Sequence, residues 1–196
     1  MTRRSFKIGI TGTHSTGKST FVNGIEKALK NDGFDVGRVD DLATRASDLG
    51  FPILRDHTFE STLWIMAECM RQEAELALSS DVIIVDRAVP DAFGYLLAAL
   101  QISGRKLDRK RLEILQAIAG AHVRDYDFLV MTELNQSIPL GEGRDPDSAF
   151  REAAASQILK IVDEIAPGTQ RMNLENQIDI INQAISAARK ALSPAR

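Results

Sequence analysis

Eight residues near the N-terminus, Gly12-Thr13-His14-Ser15-Thr16-Gly17-Lys18-Ser19, match the spacing G-x-x-x-x-G-K-[ST]. They directly follow the apolar run Phe6 to Ile10 and precede Phe21, Val22, Ile25, Ala28 and Leu29 at helical spacing, so the motif stands between a strand and a helix. That context demands a particular local fold. The two glycines let the chain curl so that successive N–H groups point inward, and the helix opening near Lys18 adds its positive dipole end. The backbone from Gly12 to Thr20, including Thr13, His14, Ser15 and Thr16, is therefore expected to cradle the phosphates of ATP. Lys18 would neutralise the β- and γ-phosphates. Ser19 offers a hydroxyl to Mg2+, an ion that keeps several waters and takes few protein ligands.

The rest of the chain alternates strands with helices. Val36 to Val39 reads as a second strand ending in Asp40-Asp41, and Thr58 to Leu78 as a helix presenting Leu63, Trp64, Ala67, Met70, Ala74 and Leu78. Val82-Ile83-Ile84-Val85 is an uninterrupted apolar strand of the kind buried in parallel sheets. Helical stretches at Leu96 to Leu100 and Leu107 to Ala119 lead to a strand at Phe128 to Met131. A polar, glycine-rich stretch, Ile138 to Asp147, then precedes a helix carrying Phe150, Ala154, Ile158, Ile161, Val162 and Ile165. A weak fifth strand near Arg171 to Leu174 and a helix through Ile178, Ile181, Ile185 and Ala188 close the chain. Strands alternating with helices predict an α/β sheet covered on both faces, and with no repeat or linker residues 1–196 are expected to form one domain.

Composition narrows the function. Twenty-four Lys and Arg against 27 Asp and Glu give a formal charge of -3, with both signs scattered, so long nucleic acid is not the expected partner. The single cysteine, Cys69, excludes a disulfide framework and suits a reducing cytoplasm. The longest apolar tract, Ala92 to Ile102, is interrupted by Gly94 and Gln101 and falls short of the roughly 20 residues that span a bilayer. The basic N-terminus lacks the apolar core of a signal peptide. A small-molecule partner and a cytoplasmic location are expected.

Asp86 ends the apolar strand, where a second acid would hold magnesium beside the phosphate loop. No N-K-x-D, no D-x-x-G after that strand and no L-S-G-G-Q segment occurs, so small GTPases and transporter ATPases fit badly. Asp86 is followed by Arg87, with Asp91 and Tyr95 further on.

On four stretches, Ile8 to Thr20, Asp41-Leu42-Ala43-Thr44-Arg45, Val82 to Tyr95 and Ile138 to Arg151, the chain resembles the P-loop kinases of the nucleoside and nucleotide kinase superfamily. The likeness is greatest to the AAA-type ATPase branch with the ribosylnicotinamide kinase domain of NadR-type proteins. The resemblance implies a three-layer α/β/α P-loop NTPase fold with a five-stranded parallel sheet, the magnesium strand beside the first strand, and a mobile lid at about 138–151. It also implies that Asp86 serves the metal site and that Arg87 orients the acceptor or its phosphate. The second stretch resembles an E-x-A-T-R pattern whose acid binds and deprotonates the acceptor hydroxyl. Here that residue is Asp41, one methylene shorter than Glu, and Asp40 competes with it.

A kinase also needs cations on the moving phosphate. Gly141-Glu142-Gly143-Arg144-Asp145-Pro146 is a hinge carrying Arg144, and Arg151 follows in the next helical segment. Arg grips a phosphate with paired hydrogen bonds, so an arginine on a closing lid stabilises charge and expels water together. The remaining conspicuous residues have plainer readings. His14 contributes its backbone, and His57 and His122 are isolated structural or surface residues without metal-ligand spacing. Trp64 is a core anchor, with a stacking role against a base for it or Phe59 as the alternative. Glu68, Arg71, Glu73 and Glu75 form a solvated face, and Lys106, Arg109, Lys110 and Arg111 a surface cluster or an anion site.

The expected activity is Mg-ATP-dependent phosphoryl transfer to a nucleoside, a nucleoside monophosphate or a nicotinamide-riboside-like acceptor. The alternative is a regulatory switch that hydrolyses ATP slowly and acts on a protein partner. The resembled families allow a homodimer.

Overall fold

The computed structural model describes residues 4–13, 17–40, 42–134 and 147–193. Five strands, β1 (Phe6–Thr11), β2 (Val36–Val39), β3 (Val82–Asp86), β4 (Phe128–Thr132) and β5 (Gln170–Met172), form one sheet in the order β2-β3-β1-β4-β5. All four pairings are parallel, with Ile10 opposite Asp86 and Thr11 opposite Met131. Among the described residues the helices are α1 (Lys18–Asn31), α2 (Leu42–Asp48), α3 (Phe59–Leu76), α4 (Pro90–Ser103), α5 (Arg109–His122), α6 (Ser148–Ile165) and α7 (Gln177–Leu192).

The period-2 alternation of the strands sorts the core into two layers. Phe6, Ile8, Ile10, Val82 and Ile84 face α1 and α7, where they pack on Phe21, Val22, Ile25, Leu29, Ile180 and Ala184. Ile83 and Val85 face the other way, onto Met66, Cys69, Phe93, Leu96 and Leu115 of α3, α4 and α5. Helix α6 extends that second layer by packing on α4, where a Cβ added at Gly94 would stand 3.1 Å from the backbone N and Cα of Ile158. The result is the three-layer α/β/α architecture expected from the alternating pattern.

Helix starts follow local chemistry. Thr58 and Ser61 form a reciprocal capping box on α3, Asp108 accepts from Lys110 and Arg111 at the start of α5, and Asp147 accepts from the N–H of Phe150 on α6. Pro90 occupies the first turn of α4, where its missing N–H costs nothing.

Several faces differ from the sequence reading. On α3 the buried residues are Ser61, Thr62, Met66, Glu68, Cys69 and Glu73, whereas Ala67 and Ala74, and Leu78 just beyond the helix, are exposed. The apolar count missed this rotation because Glu73, fully buried, is held by the Lys7 ammonium at 2.9 Å, His122 Nε2 at 3.0 Å and the Tyr126 hydroxyl at 3.0 Å. Glu68 is buried too, bonded to Arg45, Arg71 and Gln72, so the expected solvated face holds only in part. On α7, Ile180 and Ala184 turn inward while Ile178 is 72% exposed. Strand β5 ends at Met172, and Leu42–Asp48, without a clear apolar period, forms the short helix α2.

Candidate functional site

The site is built at the carboxyl ends of β1 and β3. Strand β1 runs into Gly12 at φ +127, a backbone conformation open to glycine, and a Cβ there would stand 2.8 Å from the carbonyl oxygen of Thr132 on β4. Gly17, at φ +86, caps α1. Its carbonyl accepts from the side-chain amide of Gln177 at 3.2 Å, which joins the start of α7 to the loop. The Lys18 ammonium is buried and donates to the carbonyls of Gly12, at 2.8 Å, and Thr13. Ser19 and Thr20 lie exposed in the first turn of α1. His14, Ser15 and Thr16 lie outside the described residues.

Parallel pairing sets Asp86 opposite Ile10, two residues before Gly12. Asp86 Oδ1 is buried with no hydrogen-bond partner among the described residues, while Oδ2 is 3.5 Å from Arg38 Nη2. Arg38 also reaches Asp40 at 2.7 Å, so the exposed Asp40 is an ion-pair partner. Asp41 lies outside the described residues.

Arg87 takes φ +80 as the chain leaves β3, and its N–H donates to the carbonyl of Ile10 at 3.1 Å. Its guanidinium donates to the Tyr95 hydroxyl at 3.1 Å, and that hydroxyl is 3.3 Å from Thr13 Oγ1. Burial alone would lower the Arg87 pKa, but Tyr95, Asp91 and Asp86 push it upward, so the cation persists at all working pH.

Asp91, which has no role assigned by sequence, bonds directly to the phosphate loop. It accepts from the Gly12 N–H at 3.0 Å and from the Thr11 hydroxyl, and its Oδ2 is buried with no hydrogen-bond partner among the described residues. Burial pushes its carboxyl up to about 6, against the opposing pull of Lys18, Thr11 and Gly12. A signal existed: an acid directly after the helix-opening Pro90.

Beside these groups lies a cavity of about 150 Å³. Its polar lining comprises Thr44, His57, Arg87, Asp91 and Tyr95, and apolar walls come from Ile53, Ile65, Met66 and Ala92. The phosphate loop and the cavity therefore share Asp91 and Tyr95. His57, expected to be isolated, is buried here, and His122 bonds Glu73, so neither is a surface residue. Trp64 stacks on Phe51 at 5.4 Å and Phe59 carries the Arg111 guanidinium at 4.7 Å, so both rings are engaged outside the cavity lining. Lys106, Arg109, Lys110 and Arg111 are exposed, with Arg109 and Arg111 paired to Glu113 and Glu60. Burial raises the Cys69 thiol well above its ordinary range, which makes it a packing group rather than a nucleophile.

Of the expected lid, 138–146, with Arg144 and the Gly141 to Pro146 hinge, lies outside the described residues. Arg151 is in the first turn of α6, 7% exposed, with Nε and Nη1 unpartnered among the described residues. The Asp147 cap of the same helix pairs with Arg55, from the 3-10 turn Leu54–Asp56 at the cavity. Among the described residues no cluster of His, Cys, Asp and Glu suits a metal by itself, and no helix is long and apolar enough to cross a membrane.

A five-stranded parallel sheet with a glycine-rich loop between its central strand and α1 defines a P-loop kinase-like α/β fold. The chain belongs to the AAA domain family AAA_28, whose model matches residues 7–178. Its fold is similar to that of the NadR protein solved in complex with NR, with a TM-score of 0.66 and 13% identity, covering 98% of this chain and 53% of that one. The chain thus spans about half the length of NadR. It is also similar to the deoxyadenosine kinase of M. mycoides with bound dATP, with a TM-score of 0.58 and 15% identity over 92% of this chain and 99% of that one. The dCTP-bound form of that kinase gives 0.55 and 14% over 93% and 100%. No curated protein matches the sequence.

Proposed function

We propose that residues 1–196 act as one Mg-ATP-dependent phosphotransferase unit with a lid at about 138–151. It would move the γ-phosphoryl group of ATP to a hydroxyl of a nucleoside or nicotinamide-riboside-like molecule, or to the phosphate oxygen of a nucleoside monophosphate. The observation that carries this reading is the cavity that shares Asp91 and Tyr95 with the phosphate loop. A hydrolytic switch needs only water next to the loop, whereas a walled cavity there suits a second organic reactant. The similarity in fold to a deoxyadenosine kinase supports the same reading.

In this scheme the backbone of Gly12 to Thr20 and Lys18 hold the triphosphate, and Ser19 and Asp86 hold magnesium. The Asp86 Oδ1, buried with no hydrogen-bond partner among the described residues, and the Ser19 hydroxyl are oxygen donors of the kind Mg2+ takes. The bound ion would neutralise charge on the β- and γ-phosphate oxygens. Asp41 accepts the proton of the attacking hydroxyl as its oxygen bonds to the γ-phosphorus, and the bond to the β–γ bridging oxygen breaks to release ADP. Arg87 orients the acceptor, and Arg144 and Arg151 hold the transferring phosphoryl group. The two Arg151 nitrogens that are buried with no partner among the described residues support that role, because a buried donor without an acceptor is costly. A cytoplasmic setting suits a reaction that consumes ATP.

The test is ADP release with Mg-ATP in the presence and absence of a panel of nucleosides, monophosphates and nicotinamide riboside. Stimulation by at least one acceptor, with the phosphorylated product seen by mass spectrometry, is the expected result. ADP release that no acceptor changes would replace the kinase reading with the switch.

A further inference from the structure

One wall of the cavity has a chemistry of its own. His57 is 3% exposed and lines the space. Its Nδ1 lies 3.0 Å from the carbonyl oxygen of Leu54, and a carbonyl oxygen only accepts, so Nδ1 carries the proton. Leu54 itself sits at φ +56, a left-handed conformation that leucine adopts only where its surroundings fix it. Arg105 supplies part of that restraint, donating to the carbonyls of Arg55 at 2.8 Å and His57 at 3.0 Å. The other described non-glycine residue with positive φ is Arg87, which lines the same cavity. Strained backbone of this kind collects at ligand clamps.

Burial lowers the His57 pKa to about 4, aided by the Arg105 charge and opposed by the bond to Leu54. The ring is therefore neutral at physiological pH. With the proton fixed on Nδ1, Nε2 presents a lone pair that no described residue engages. The Tyr95 ring, 5.9 Å away at 31°, forms the adjoining wall.

We propose that His57 is a specificity-determining residue: the cavity takes a single six-membered ring, and Nε2 reads an N–H or O–H donor on that ring's edge. The proposal rests on the reading above in which this cavity receives the acceptor. The size limit follows from the volume of about 150 Å³, since a void of that size accommodates a benzene-sized ring. The preference for a donor follows from the lone pair, because a methylated or ester analogue would leave it unpaired next to an apolar group.

Three probes titrated into the full chain without nucleotide, followed by ligand-detected NMR, separate these features. Benzamide has one ring and N–H donors, methyl benzoate has nearly the same size and no donor, and 2-naphthamide has the donor on two fused rings. Benzamide is expected to bind about tenfold more tightly than methyl benzoate, with 2-naphthamide failing to compete. His57→Leu should erase the preference, and His57→Gln, which restores an oxygen acceptor, should recover it. Equal binding of benzamide and methyl benzoate, or no binding of any probe, overturns the assignment, and competition by 2-naphthamide overturns the one-ring limit. If His57→Leu does not fold, the wild-type ratio decides alone. Because no ATP enters the titration, its outcome is independent of the ADP-release assay: selective benzamide binding without acceptor-stimulated turnover would remove the kinase reading and leave His57 in place.

Discussion

The Asp91 carboxylate accepts the backbone N–H of Gly12 at 3.0 Å, so the first turn of α4 is fastened to the first residue of the phosphate loop. The same carboxylate lines the cavity. One buried side chain thus touches both reactant sites of the proposed reaction. Because burial raises its pKa, the folded chain takes up a proton at higher pH than the unfolded chain. Its contribution to stability is fully present below the ordinary carboxylate value and falls as pH rises from about 4 to about 6. Asp91→Asn cannot titrate and still accepts from Gly12. Urea unfolding should show that fall abolished and the variant more stable than wild type at pH 7, with lower ATP turnover.

Lys18→Ala removes the buried ammonium of the loop. ADP release should drop by at least about 100-fold, the scale seen when a preorganised charge is removed from a transition state. Asp41→Asn should lower kcat with little change in ATP affinity, as expected for a group acting only in the transition state. Full retention of rate by Asp41→Asn would shift the base assignment to another carboxylate.

Arg151 offers a cleaner separation of fold from function. Two of its guanidinium nitrogens are buried with no hydrogen-bond partner among the described residues, a cost to the folded state. Arg151→Met, apolar and of similar length, should leave Tm unchanged or higher while cutting ADP release by about tenfold or more. A fall in both would make Arg151 a structural residue.

Glu73 tests the opposite end of the sheet. Burial by itself would raise its pKa, but His122 and Lys7 outweigh burial and hold the carboxyl below its usual range. Its stabilising contribution is therefore present above the ordinary carboxylate value and is lost as pH falls through the lowered one. Glu73→Ala leaves Lys7 without its buried partner and should cost about 3–5 kcal/mol in urea unfolding, with the acid-side loss of stability reduced.

Much of this architecture was legible because the strongest signals were local. Val82 to Val85 could only be a buried strand, and the glycines of the phosphate loop fixed what stood on either side of it. Asp86 stood out as the acid that ends that strand. What escaped depended on contacts distant in sequence. Glu73 counted as polar until Lys7, His122 and Tyr126 converged on it, which turned α3 away from its apparent apolar face. His57 looked isolated because its partners are a carbonyl, an arginine 48 residues away and a void. Strand β5, three residues long with only Met172 in the core, had too little pattern to bound.

Because all five strands run the same way, the loops at their amino ends lie on the rim away from the phosphate loop and the cavity. The Gly33 turn that leads toward β2 belongs to that rim, and a Cβ added at Gly33 meets nothing within 4 Å. A fluorophore or surface tether attached at the neighbouring exposed Asn31 would report on the molecule from behind, leaving the reactive edge open to ligands during single-molecule or sensor measurements.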